Sequence, residues 1–269
     1  MTTSPDLLSH EFLLPTPAGR IYVKRWEHSG QASNQAPVIL MHDSLGSVEL
    51  WRDLPDRLAR GTGRAVVAYD RLGFGRSDPH AGQLPVDFIA QEAHTTFAHV
   101  IAALQIDRFV LFGHSVGGGM SICIAAAYAA RCEALITESA QAFVEERTLA
   151  GIRAAQGAFA EPGQVERLGR YHGDKAAWVL SAWIDRWLDP AFQTWSLDSA
   201  LPQVTAPNLV LHGRGDEYGS VHHPERIAAL SYGPSSLVIG DWGHVPHRED
   251  AEHIVQRAAQ WLADLASTQ

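Results

Sequence analysis

Arg108-Phe109-Val110-Leu111-Phe112-Gly113-His114-Ser115-Val116-Gly117-Gly118-Gly119-Met120 decides how this chain reads. Its first part is a short apolar run of the kind that forms a strand buried on both faces. Its last part continues as Ser121-Ile122-Cys123-Ile124-Ala125-Ala126-Ala127, a helix former. Between them Gly113-His114-Ser115-Val116-Gly117 fits the pattern G-x-S-x-G. A serine on so sharp a strand-to-helix turn takes strained backbone angles and has its hydroxyl pushed into the open. The residues two away on either side must be small, because helix and strand come close there. The pentapeptide alone is a weak signal, but the strand before it and the helix after it make it a strong one.

Further apolar runs lie on both sides: 37–43 (PVILMHD), 65–70 (AVVAYD), 134–139 (ALITES), 208–216 (NLVLHGRGD) and 235–241 (SSLVIGD). Each reads as a buried parallel strand. Near the start, EFLLPTP and GRIYVKRW read as an antiparallel hairpin at the sheet edge. Residues 31–36 are polar and read as a loop. Helical spacing joins the strands. It links Trp51, Leu54 and Leu58, then Val86, Ile89, Ala93, Phe97, Val100 and Leu104 as one helix over 85–105, and finally Ile254, Ala258, Leu262 and Leu265. The expected fold is α/β: a mostly parallel, twisted, eight-stranded sheet with helices on both faces.

The alternation stops between Ala140 and Leu201. Leu149, Ile152 and Phe159 share one helical face, and Val179, Trp183 and Trp187 share another. Residues 140–201 therefore read as a helical lid or cap inserted into a core made of 1–139 and 202–269. Four of the eight tryptophans fall here: Trp178, Trp183, Trp187 and Trp195. Most are expected to hold the insertion together, with Trp183 and Trp187 as candidates for an apolar substrate wall.

A serine hydroxyl needs a base to take its proton. In a parallel sheet, ligands gather beyond the carboxyl ends of the strands. Asp216 and His244 both follow strands there, in the chain order serine, acid, histidine. His244 is the candidate base and Asp216 the candidate acid that orients it. Glu217 and Asp241 lie close enough in sequence to remain alternatives for the acid. Most of the 14 histidines must be structural or exposed, and His244 stands out by its place after the last strand. His244 and His247 are spaced like a metal pair but lack a third ligand at fitting spacing, so no metal is expected. Two backbone N–H donors are needed for a developing oxyanion. Val116 should supply one, and the loop His42-Asp43-Ser44-Leu45-Gly46, through Ser44, the other.

These features resemble the α/β-hydrolase superfamily. The likeness rests on the elbow, the order of the three side chains, the stretch Asp70-Arg71-Leu72-Gly73-Phe74-Gly75-Arg76-Ser77 read as a tight turn, and Gly243-His244. It runs from about Phe12 to Leu265 and implies a fold and a nucleophile chemistry. One departure is Asp43, where the family usually has glycine. A carboxylate beside an oxyanion opposes catalysis, so Asp43 is expected to point away, held by a local backbone bond, with the Ser44 hydroxyl as a candidate third donor. Serine at the elbow argues against the dehalogenase and epoxide hydrolase branches, which use aspartate. The C–C hydrolase branch is similar in its triad but commonly has Gly-Asn-Ser-Met-Gly-Gly at the elbow and tryptophan after the histidine, where this chain has His114 and Val245. The loop Ser44-Leu45-Gly46 followed by Trp51 is loosely similar to enol-lactonases.

The leading expectation is hydrolysis of a carboxylic ester or lactone through an acyl-enzyme, without a cofactor. The alternatives are C–C hydrolysis of a vinylogous diketone or a receptor with weak turnover. Asp43, His114, Trp183, Trp187 and Val245 are the expected substrate contacts. A net charge of −9, with Lys24 and Lys175 the only lysines, argues against a nucleic-acid partner. The start, MTTSPDLLSHEFLL, does not read as a signal peptide, and no apolar run is long enough to span a bilayer. Cys123 and Cys132 read as packed thiols on one helix, about 13 Å apart along its axis, too far to pair. A cytoplasmic monomer or homodimer acting on a small apolar molecule is the expectation.

Overall fold

The computed structural model describes residues 6–29 and 34–267. Parts of two stretches read from sequence, 1–5 at the amino terminus and 31–33 in the polar loop, lie outside the described residues. In chain order the strands are β1 (Leu7–Thr16), β2 (Gly19–His28), β3 (Val38–Met41), β4 (Val66–Tyr69), β5 (Phe109–His114), β6 (Cys132–Glu138), β7 (Asn208–Gly213) and β8 (Ser235–Gly240). The helices are α1 (Leu54–Thr62), α2 (Phe88–Gln91), α3 (Thr96–Ala103), α4 (Val116–Ala127), α5 (Glu146–Phe159), α6 (Gln164–His172), α7 (Ala176–Leu188), α8 (His222–Leu230), α9 (Pro246–Glu249) and α10 (Ala251–Ser267).

The eight strands form one sheet in the order β1-β2-β4-β3-β5-β6-β7-β8. β1 pairs antiparallel with β2, and β2 antiparallel with β4, while every later pair is parallel. Side chains alternate between faces with a period of two. Ile39, Met41, Val67, Tyr69 and Leu111 therefore pack with α2–α4 and α8 on one side. Val38, Leu40, Val66, Ala68, Val110 and Phe112 pack with α1 and α10 on the other. Strands β3, β4, β5 and β7 are buried throughout, and β6 nearly so, as their apolar runs predict. β8 departs from that reading: it is the edge strand, and its exposed and half-buried positions include Leu237 at 40% exposure.

Two helix readings need correction. The stretch 85–105 is not one helix. α2 gives way to a 3-10 turn at Glu92–His94, and Thr95 (φ −109°, ψ −105°) breaks the path before α3. Thr95 Oγ1 donates to the Gln91 carbonyl at 2.9 Å, a local bond that competes with the helix ladder. Glu92 is buried and accepts the Tyr69 hydroxyl at 2.6 Å. Cys132 does not share a helix with Cys123, since it opens β6; both are free thiols. Helices α5, α6 and α7 all lie between β6 and β7. Among the described residues no helix is long and apolar enough to cross a membrane.

Candidate active site

Ser115 sits between β5 and α4 with φ 55° and ψ −124°, a strained conformation for a residue with a side chain. The close approach that forces this turn can be measured at its glycines. A Cβ on Gly117 would stand 2.0 Å from the Met41 carbonyl oxygen of β3, and one on Gly113 2.3 Å from the Gly117 carbonyl oxygen. Neither position admits a side chain without moving backbone.

Three side chains from different loops meet here. His244 Nε2 is 3.0 Å from Ser115 Oγ. His244 Nδ1 is 2.9 Å from both carboxylate oxygens of Asp216. The carboxylate can only accept, so Nδ1 carries the proton and Nε2 presents its lone pair to the serine hydroxyl. Asp216 is fully buried, and its Oδ1 also accepts the backbone N–H groups of Tyr218 (2.8 Å) and Gly219 (3.1 Å). Burial pushes its pKa up, but the bond to His244 and the backbone donors outweigh this and leave it below the usual carboxylate value. Of the two alternatives for the acid, Asp241 is exposed and pairs with Arg214, while Glu217 lies on the cavity wall.

The serine opens into a cavity of about 420 Å³. Asp43, Ser44, Trp183, Trp187 and Val245 line it, together with Ser115 and His244. A larger groove of about 750 Å³ lies at the opposite, amino-terminal ends of the strands, bounded by Pro37, Ala65 and Arg108, and touches none of these residues. Trp178 and Trp195 stay out of the cavity. Trp178 packs edge-on against Phe74 and donates its indole N–H to the Gly82 carbonyl at 2.8 Å. Trp195 stacks on Phe192. Val116 is the first residue of α4, so its N–H has no acceptor within the helix, and Ser44 lies on the cavity wall.

His114 is not a wall residue of this cavity. It is buried beneath it, 2.8 Å through Nε2 from the His244 carbonyl oxygen. The reason is the strand period: Ser115 turns outward at the end of β5, and its predecessor turns in. The partner of Asp43 also differs from the local backbone bond expected of it. Its carboxylate lies 3.4 Å from His114 Nδ1. The reading from sequence passed over Gln141, whose Oε1 is 3.4 Å from Ser115 Oγ as a second acceptor for the same hydroxyl. It also passed over Tyr218, whose ring meets His244 at 4.8 Å. Gln141 lies just past the carboxyl end of β6, and the rule that selected Asp216 and His244 extends to it.

Residues 36–183 match the family model for the alpha/beta hydrolase fold, more than half of the chain. The 1-acylglycerol-3-phosphate O-acyltransferase ABHD5 of Mus musculus is 32% identical over 135 residues, which is 49% of this chain and 36% of that protein. The match thus spans about a third of the length of that curated relative. A bacterial membrane phospholipase A is similar in structure, with a TM-score of 0.73 at 21% identity over 97% of this chain and 87% of that one. So is the enol-lactonase from Burkholderia xenovorans LB400, with a TM-score of 0.71 at 18% identity over 93% and 99%. With the eight-stranded sheet in its observed order and the family match across the elbow, this chain belongs to the alpha/beta hydrolase fold family.

Proposed function

We propose that this hydrolase cleaves a carboxylic ester or lactone, with Ser115 as nucleophile, His244 as base and Asp216 as the acid that orients it. The observation that carries the reading is the unbroken row of hydrogen bonds from Ser115 Oγ through the His244 ring to Asp216. His244 takes the hydroxyl proton as Ser115 attacks the acyl carbon. The imidazolium is stabilised by the buried carboxylate and then gives its proton to the leaving alkoxide. Water enters, loses a proton to His244, and releases the acid and the free serine. The backbone N–H groups of Val116 and Ser44 serve the oxyanion in both steps.

The cavity supports a small or medium acyl or aryl group, with Trp183 and Trp187 as its apolar wall and Val245 beside the base. Helices α5–α7 act as its lid. A small apolar molecule is the partner, no cofactor takes part in the steps above, and the cytoplasm is the proposed setting. The lactone side of the proposal draws on the fold shared with the enol-lactonase. The test is a serine-directed fluorophosphonate together with turnover of short p-nitrophenyl esters and simple lactones. Stoichiometric labelling at Ser115, with turnover that disappears in Ser115→Ala, is the expected result. An unlabelled protein that binds these molecules without turnover would be a receptor, and the proposal would fall.

A further inference from the structure

Beneath the row of three lies a second set of titratable side chains that the proposed steps do not use. The His244 carbonyl oxygen can only accept, so His114 Nε2, at 2.8 Å, must carry a proton. On the other side of the ring, Nδ1 faces Asp43 Oδ2 at 3.4 Å. His114 is 1% exposed. The Asp43 carboxylate is tucked beneath its own loop: a Cβ on Gly46 would lie 2.2 Å from Oδ1. Behind this pair, His247 Nδ1 donates to Glu138 Oε2 at 2.5 Å, and the His247 and His114 rings meet edge to face at 5.0 Å. His114 is thus faced by Asp43 from the loop after β3, Glu138 from the end of β6, and His244 and His247 from the chain after β8. Arg248 acts on Asp43 from a greater distance.

Burial disfavours a charge on His114, yet the Asp43 carboxylate, with Glu138 behind it, raises its pKa above the ordinary value. Burial likewise pushes Asp43 up, and His114 more than reverses this, holding the carboxyl well below its usual range. Both ring nitrogens of His114 face acceptors, which is the arrangement of an imidazolium beside a carboxylate. His114, Glu138 and His247 also bring possible ligand atoms within 4.8 Å of one another. His114 has no lone pair left for a cation, because its two nitrogens face the His244 carbonyl and the Asp43 carboxylate.

We propose that His114, as an imidazolium paired with Asp43, is a positioning residue that ties the loop carrying Ser44 to the segment carrying His244, so that backbone donor and base stay in register with Ser115. This rests on the reading of Ser115 as nucleophile. The tie explains how a carboxylate is tolerated where the family usually has glycine: its charge is offset by the imidazolium beside it. It also gives the bond a pH dependence. The link holds while His114 is protonated and loosens as pH rises through its raised pKa.

The test compares wild type, Asp43→Asn, His114→Gln and the double variant on a short p-nitrophenyl ester, across pH 6 to 10 (roughly the span of histidine titration when raised), with circular dichroism as a check on folding. Asp43→Asn is expected to lower kcat about tenfold or more, since small misplacements are costly, with KM within about twofold. It also moves the alkaline limb to lower pH, because His114 loses the carboxylate that raises its pKa. His114→Gln loses kcat and has no alkaline limb from this group, and the double variant is no worse than the poorer single one. Folded variants with wild-type kcat and an unmoved limb overturn the proposal. So does a loss of activity that tracks lost folded protein at an unchanged pH profile, and so does sensitivity of the wild-type profile to EDTA or added Zn²⁺. Fluorophosphonate labelling separates the two readings. No labelling of wild type removes the nucleophile and this inference with it, whereas labelling with indifferent variants removes the inference alone.

Discussion

The carboxyl rim of the sheet and the helices between β6 and β7 meet across one cavity but are built by different means. At the rim, position is set by backbone. Gly113 and Gly117 press against carbonyl oxygens, Ser115 is held at positive φ, and Asp216 is fixed by two backbone N–H groups. Across the cavity, position is set by side-chain packing. Trp187 lies edge-on to Phe192 and Trp195 at 5.2 and 5.7 Å, and Trp183 meets Tyr218 at 5.8 Å. The difference teaches that the wall can be reshaped by exchanging aromatic side chains, while the rim tolerates almost no change.

The sharpest break in this comparison is Ser115→Ala, which should lower kcat on a p-nitrophenyl ester by about 10⁴-fold or more while thermal unfolding stays near wild type. Next come the two tryptophans. Trp187 is 2% exposed and serves both packing and wall, so Trp187→Ala should cost about 3–5 kcal/mol in denaturant unfolding. Trp183 is only half-buried, so Trp183→Ala should act chiefly on KM; equal loss of stability in the two would mean that both tryptophans hold the helices together. Gly117→Ala then tests the rim. A methyl group 2.0 Å from the Met41 oxygen forces β3 and α4 apart, for about 1–3 kcal/mol and a slower reaction with the fluorophosphonate.

The smallest effect concerns how the helical segment is attached. His172 Nδ1 accepts the Gly75 N–H at 2.8 Å while its Nε2 lies 3.0 Å from the Leu45 carbonyl oxygen. His223 Nδ1 accepts the Ala142 N–H at 3.1 Å while its Nε2 faces Glu145 at 3.0 Å. Each ring must be neutral to accept. Burial lowers both pKa values, that of His223 from 6.5 to about 4. The unfolded chain therefore binds more protons between those values, and the stabilising contribution, complete above 6.5, is lost as pH falls toward about 4. Hydrogen exchange at the Gly75 and Ala142 amides, corrected for intrinsic rates, should quicken at pH 5 relative to 7.5 (about one unit either side of an ordinary histidine pKa). Unchanged protection would mean that the clips do not titrate.

Much of the fold was legible because a strand buried on both faces writes a continuous apolar run, as in 37–43 and 208–216, and because the elbow needs glycine at fixed offsets. The meeting of Ser115, Asp216 and His244 followed from one rule about strand ends. What escaped were contacts made across the chain. Glu92, buried beside the break near Thr95, accepts the Tyr69 hydroxyl from another strand. The partner of Asp43 lies on β5, and no local pattern announces it. Cys132 sits in an Ala-rich stretch with helical propensity, and pairing with β5 overrides that preference.

Gly46 and Asp43 are sterically interlocked, since the carboxylate oxygen occupies the space any side chain at 46 would fill. The Asp43 backbone nitrogen and the His42 Cβ would each stand 2.9 Å from the same Cβ, so the loop backbone holds glycine at 46 whatever residue 43 carries. A library randomised at 43 and 46 together should free position 43 and still return glycine at 46.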